Sequence, residues 1–169
     1  MRNQDLLALF DYNYWATWTI VAAVKALPIE AFTQPSTITW RNLRGTLVHT
    51  LDVEQSWRRR LLGEPKEVWD AELSAEKFAT TAELETHWRS DAAEMRTFLA
   101  GLDDSALAAI VDLGPKDRFP LWYFLVHVVT HGIEQRRDAA TLIKHFGGEP
   151  PELEFLWFAD SLTALERPG

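Results

Sequence analysis

Apolar side chains recur at three- and four-residue steps along four long segments of the chain. That spacing is typical of α-helices that bury one face. Thr80 and Glu83 form a capping-box pattern at one start, and Pro120 is expected in the first turn of the last long helix. We predict helices from about Gln4 to Leu27, from Arg41 to Leu62, from Thr80 to Gly101, and from Pro120 to Gly147 and Gly148.

Three shorter stretches have patterns of their own. SALAAIVDL (105–113) fits either a helical turn or an extended strand, and STITW (36–40) is the one other stretch compatible with a strand. LEFLWFADSL (153–162) is expected to pack as a short closing helix. Four long helices joined by connections of unequal length favour an all-α fold: an antiparallel four-helix bundle with a short additional C-terminal helix, in a single domain over residues 1–169.

Composition narrows the classes of function. The chain has 17 Lys and Arg against 25 Asp and Glu, a formal charge of −8, so we expect no nucleic-acid partner, because phosphate binding needs a cationic surface. It has no cysteine, which excludes disulfides, cysteine-bound zinc and a thiol nucleophile on the protein. Asp5 and Asp11 interrupt the apolar N-terminus, and no apolar run approaches about 18 residues. We therefore expect a cytoplasmic protein with no membrane partner.

Histidines carry the candidate chemistry. His127 and His131 stand four residues apart, so their Cβ atoms lie about 6 Å apart on one helix face, within reach of a single metal ion. On a helical wheel His131 and Gln135 face inward more than His127 does, and His49 lies at the edge of the leucine stripe of the second helix. The pattern leaves two interpretations open: metal ligands, or polar side chains satisfied at the edge of a bundle. All-nitrogen ligation would suit zinc or nickel.

Arg58, Arg59 and Arg60 end the second predicted helix. Cations are favoured at a helix C-terminus, where the last carbonyl groups carry partial negative charge. We interpret this triplet as a helix-end feature, with no further role expected.

Four motifs, in matching order, together resemble the DinB-like family of four-helix-bundle, metal-dependent enzymes. They are DYNYWA (11–16), RGTLVHTLDVEQSW (44–57), PLWYFLVHVVTHGIEQR (120–136) and GGEPPELEF (147–155). The resemblance implies a zinc or nickel ion held by His49, His131 and residue 135, which here is Gln135 in place of the usual histidine. Three outcomes stay open: His127 replaces the missing imidazole, Gln135 or water completes a weaker site, or the site is degenerate and empty.

The resemblance also implies roles for neighbouring residues. Asp52 and Asp138 are candidates to orient a ligand imidazole, and Arg136 to hold a substrate carboxylate or to form an interhelical ion pair. Relatives include S-transferases that use a low-molecular-weight thiol such as bacillithiol or mycothiol, and a thiol-dependent isomerase. We expect a thiol-dependent S-transferase or a related detoxification or stress-response hydrolase, with a small-molecule thiol and an electrophile as partners. The alternative is a non-catalytic, homodimeric stress-response or binding bundle with a degenerate site.

Overall fold

The structure is a computed structural model that describes residues 1–164, and this part of the chain is mostly helical. Two 3-10 turns, Ile29–Phe32 and Ala75–Lys77, lie in the connections before and after the second long helix. None of the described helices has a stretch long and apolar enough to cross a membrane. The elements are α1 (Asn3–Lys25), α2 (Leu43–Leu61), α3 (Lys66–Trp69), α4 (Thr81–Ala100), α5 (Asp104–Ala108), β1 (Ile110–Asp112), β2 (Arg118–Pro120), α6 (Leu121–His145) and α7 (Phe155–Ala164).

The four long helices occupy the predicted segments, and α7 confirms the closing helix. Their starts have identifiable local causes. The Thr80 side chain accepts from the Glu83 backbone while Glu83 reaches back to the backbone of Thr80, which confirms the capping box. The Asn42 side chain accepts from the Gly45 amide and caps α2 in the same way. The prediction that Pro120 lies in the first turn of α6 is wrong: Pro120 is the extended N-cap residue, because it still pairs with Ile110 in a hairpin.

SALAAIVDL contains both of the structures that its sequence allows, a helical turn followed by a strand. Its first part belongs to α5 and its second part to β1, which pairs antiparallel with β2 so that Val111 stands opposite Phe119. STITW is not a strand but a series of bends. Within it the Ser36 hydroxyl accepts from the amides of Ile38 and Thr39, so side chains satisfy backbone groups that a strand would pair with a neighbour.

The core lies between the four long helices. α1 and α2 each contact both α4 and α6, and β1, β2 and α5 lie beside the start of α6. One cluster of buried side chains surrounds Leu51 and Trp88, and a second surrounds Phe10 and Met95. Trp18 packs against both clusters, which makes the apolar interior continuous. The all-α prediction is confirmed in its broad form.

Candidate metal centre

A pair of histidines joins the two helices α2 and α6. His49 comes from α2 and His131 from α6, and their Nε2 atoms lie 3.3 Å apart. The rings meet nearly edge to face, with centroids 5.0 Å apart and planes at 77°. Both side chains are half-buried. The helical wheel predicts inward or edge positions for both histidines, and the packing of α2 against α6 brings them together.

Burial keeps both imidazoles neutral at physiological pH. The pKa of His131 is lowered to about 4, mainly by burial and to a smaller extent by the neighbouring His49 and His127 rings. Burial also lowers the pKa of His49, with a smaller contribution from the charge of Arg41. A neutral imidazole has one nitrogen with a free lone pair, which is the form that binds a metal ion.

The separation of the two nitrogens fits a shared metal ion. Zinc binds histidine nitrogen at about 2.0 to 2.1 Å in tetrahedral geometry, which places two such ligands about 3.3 Å from one another. His49 Nε2 and His131 Nε2 lie at that separation, and each ring directs this nitrogen toward the other. The same distance allows a hydrogen bond when one of the two nitrogens carries a proton. The pair therefore fits either interpretation raised by the sequence.

His127 and Gln135 are the candidates for a third metal ligand. His127 is exposed, its ring centroid lies 6.3 Å from that of His131, and it makes an edge contact with Trp57 at 5.4 Å. Gln135 is half-buried, one helical turn beyond His131. Among residues 1–164, no group of three histidine, aspartate or glutamate side chains is arranged to hold a metal ion. A third ligand from His127 or Gln135 stays a prediction.

The two candidate orienting carboxylates lie half-buried on α2 and α6. Asp52 accepts a hydrogen bond from the Leu73 amide at 2.8 Å, and so ties the connection after α3 to the helix that carries His49. Asp138 lies on α6, two turns beyond His131. Their proposed role toward an imidazole stays a prediction.

Arg136 is buried and links α6 to α1. Its Nη1 donates to Asn13 Oδ1 at 2.7 Å and to Thr17 Oγ1 at 3.1 Å, while Nε and Nη2 have no hydrogen-bond partner. Burial lowers its pKa to about 10. Gly132 makes room for this link, because a Cβ there would lie 2.9 Å from both Arg136 Nη1 and Asn13 Oδ1. Arg136 thus has an interhelical role, with neutral partners instead of an ion pair, and contact with a substrate stays a prediction.

Sequence reasoning missed the burial of the polar groups around Glu54 and Arg58. Glu54 is fully enclosed and accepts a hydrogen bond from the Tyr14 hydroxyl. Arg58 is also buried and pairs with Asp91 and Glu94 of α4, so it is more than a cation at a helix end. A signal was present: Glu54 and Arg58 continue the helical spacing of Leu47 and Leu51, which places them on the inward face of α2.

The fold and the site define a mostly helical protein with a neutral histidine pair between two long helices. The model of the DinB family matches residues 1–167, and the chain belongs to the DinB family. A comparison with curated proteins finds no match. The family assignment expected from the four motifs is therefore confirmed.

Proposed function

We propose that this protein is a metal-dependent enzyme whose site is built on His49 and His131, with zinc or nickel as the metal and a small-molecule thiol as a substrate. The observation that carries the proposal is the pair of facing Nε2 atoms 3.3 Å apart. Membership of the DinB family supports it, since the fold of that family commonly binds metal. The reaction class that we favour is thiol S-transfer, with a related hydrolysis as the next choice.

Each part of the proposed site has a defined task. A bound metal ion would supply a Lewis acid that lowers the pKa of a coordinated thiol. His49 and His131 are held neutral by burial, so they can bind such an ion without first losing a proton. The chain has no cysteine, so the sulfur nucleophile must come from a separate molecule. In the transfer the thiol loses its proton to solvent, its sulfur bonds to the electrophilic carbon, and the leaving group departs.

We further propose that the four long helices form the antiparallel bundle expected from the sequence. The contacts between α2 and α6 support an antiparallel pair. His49 meets His131, whereas Trp57, further along α2, meets Phe124, which precedes His131 on α6. These two contacts support an antiparallel arrangement of α2 and α6.

Two observations favour a second candidate function, a non-catalytic homodimeric bundle. The described part of the chain offers a pair of metal-binding side chains but no set of three. α7 also exposes large apolar side chains that a second copy could cover: Phe155, Leu156 and Trp157. In this case the site would be degenerate and the protein would act in a stress response by binding.

An activity assay separates the two candidates. Protein loaded with zinc or nickel is mixed with bacillithiol or glutathione and a bimane halide, and the fluorescent thioether is followed over time. We expect a rate at least about tenfold above the uncatalysed reaction, which corresponds to a modest lowering of the barrier. His131→Ala should abolish it, while His145→Ala, an exposed histidine of the same helix, should retain it. A metal-loaded protein that raises the rate above the uncatalysed reaction with neither thiol would contradict the enzymatic proposal.

A further inference from the structure

An aromatic pocket lies on the same seam between α2 and α6 as the histidine pair. It has a volume of about 270 Å³ and is lined by Trp57, Asp117, Phe119, Tyr123, Phe124 and His127. An apolar cavity of about 150 Å³ is enough to bind benzene. The pocket therefore has room for a flat group of one or two rings.

The aromatic rings form one continuous wall. Trp57 stacks on Phe124 with centroids 5.3 Å apart, and Phe119 lies parallel to Tyr123 at 5.7 Å, with planes only 3° apart. Phe119 also meets Phe124 edge to face at 5.9 Å, which joins the two pairs. Because the rings pack against each other, the wall offers faces and edges to a flat ligand and does not surround a central cation.

The position of this wall is held by several elements. The register of β1 and β2 places Phe119 directly before α6. Arg60 donates to the Leu113 carbonyl at 3.0 Å and to Asp117 Oδ2 at 2.8 Å, and its guanidinium lies 5.1 Å from the centre of the Trp57 ring. Asp117, the carboxylate of the pocket, is thereby paired already. The chemistry of the pocket favours an uncharged ligand.

The wall is also exposed to water. Phe119 is 41% exposed and Tyr123 is 47% exposed, although their rings stack on each other. Adjacent exposed aromatic residues on a soluble domain are typical of a binding site. A flat ligand would remove this apolar surface from solvent.

The pocket and the histidine pair are neighbours along α6. Tyr123, His127 and His131 follow each other at four-residue steps, so they lie along one face of α6, with Tyr123 about 12 Å from His131 along the helix axis. His127 forms the boundary, since it lines the pocket and its ring centroid is 6.3 Å from that of His131. A molecule whose ring lies on Phe119 and Tyr123 can extend a reactive end past His127 to the pair.

We propose that this pocket binds the flat, uncharged aromatic part of the electrophilic substrate, which makes aryl electrophiles the substrate class of this protein. The inference rests on the proposed thiol-transfer function. The stacked rings of the wall favour a flat aromatic ligand. The pairing of Asp117 with Arg60 favours an uncharged one. His127 lines the pocket and its ring centroid lies 6.3 Å from that of His131, which connects the pocket with the proposed site of reaction.

Binding of naphthol to metal-free protein, measured by titration calorimetry, tests the pocket apart from the metal. Naphthol is flat, bicyclic and uncharged near neutral pH. We expect it to bind the native protein, and Tyr123→Ala to weaken binding by about three- to tenfold, the loss that one aromatic contact predicts. Phe119→Ala is a second variant with the same expectation. Trp40→Ala is the matched control, because Trp40 is 90% exposed and lies before α2, and it should leave the affinity unchanged.

The outcomes separate this inference from the proposed function. His131→Ala should bind naphthol as the native protein does, because the pocket lies outside the proposed metal site. Native protein that binds naphthol through Tyr123 but takes up neither zinc nor nickel would contradict the enzymatic proposal and leave the pocket inference standing. Absence of naphthol binding, or equal binding by native protein, Tyr123→Ala and Phe119→Ala, would overturn the pocket inference alone. A change from dimer to monomer in Tyr123→Ala, without naphthol binding, would overturn it in favour of a contact with a second copy.

Discussion

Glu54 is a carboxylic acid enclosed in the middle of the helices. Burial raises its pKa to about 7, against a smaller opposing effect of the hydrogen bond from Tyr14. Burial together with the nearby Glu54 raises the pKa of the Tyr14 hydroxyl well above its ordinary value. At neutral pH the Glu54 carboxyl is therefore partly protonated in the folded protein. In the unfolded chain the same carboxyl is almost fully ionised.

The sign of the resulting pH dependence follows directly. Below pH 4.5 both states hold the proton, and between pH 4.5 and about 7 only the folded state does. The free energy of unfolding therefore falls as pH rises through this window, by on the order of 3 kcal/mol for one group. Glu54→Gln should remove this contribution, so that the variant gains stability relative to native protein between pH 5 and pH 8.

Urea unfolding at the two pH values measures the effect. Glu152→Gln, at an exposed position, is the control and should follow the native protein. If Glu54→Gln loses stability with pH as steeply as the native protein does, Glu54 is not the group that titrates.

At the scale of elements, the contact of α2 with α4 depends on a buried ion pair. The side chains of Arg58 and Asp91 are each about 5% exposed or less, and they form a hydrogen-bonded ion pair. Glu94 also contacts the Arg58 guanidinium at 2.7 Å, but its side chain is 61% exposed. A guanidinium in this position needs a partner, because a buried charge without one is costly.

Asp91→Ala should therefore destabilise the protein by about 3 kcal/mol, the lower end of the usual range, because Glu94 remains. Glu94→Ala is the matched control and should cost less than about 1 kcal/mol, as expected for a partly solvated pair. The free energy of unfolding in denaturant measures both. Equal losses from the two substitutions would show that the buried pair does not hold α2 to α4.

At the scale of the whole molecule, the long helices could be predicted because each has a continuous apolar stripe and a local end signal. The packing of α2 against α6 could not, since no local pattern states which helices touch. Only the family resemblance implied that His49 and His131 share one ion, and the structure adds that their Nε2 atoms lie 3.3 Å apart. Phe119 shows the same limit, because its place in the pocket depends on the register of a three-residue hairpin.

Gln135 is the position at which this chain departs from the ligand set that the family resemblance implies. The chain belongs to the DinB family, yet it has an amide where the resemblance led us to expect a third imidazole. The amide oxygen is a poorer ligand for zinc or nickel than an imidazole nitrogen. In the proposed metal site, His49 and His131 would therefore supply most of the binding energy, which makes the pair the part of the site to test.

The most direct test is the metal content of protein purified without an affinity tag, measured by elemental analysis. We predict about one zinc or nickel ion per chain, as one mononuclear site requires, lost in His49→Ala and in His131→Ala and retained in His145→Ala. Added zinc should also raise the thermal midpoint of metal-depleted native protein, because it binds only the folded state. Native protein that carries no metal, and whose midpoint neither zinc nor nickel raises, would contradict the account.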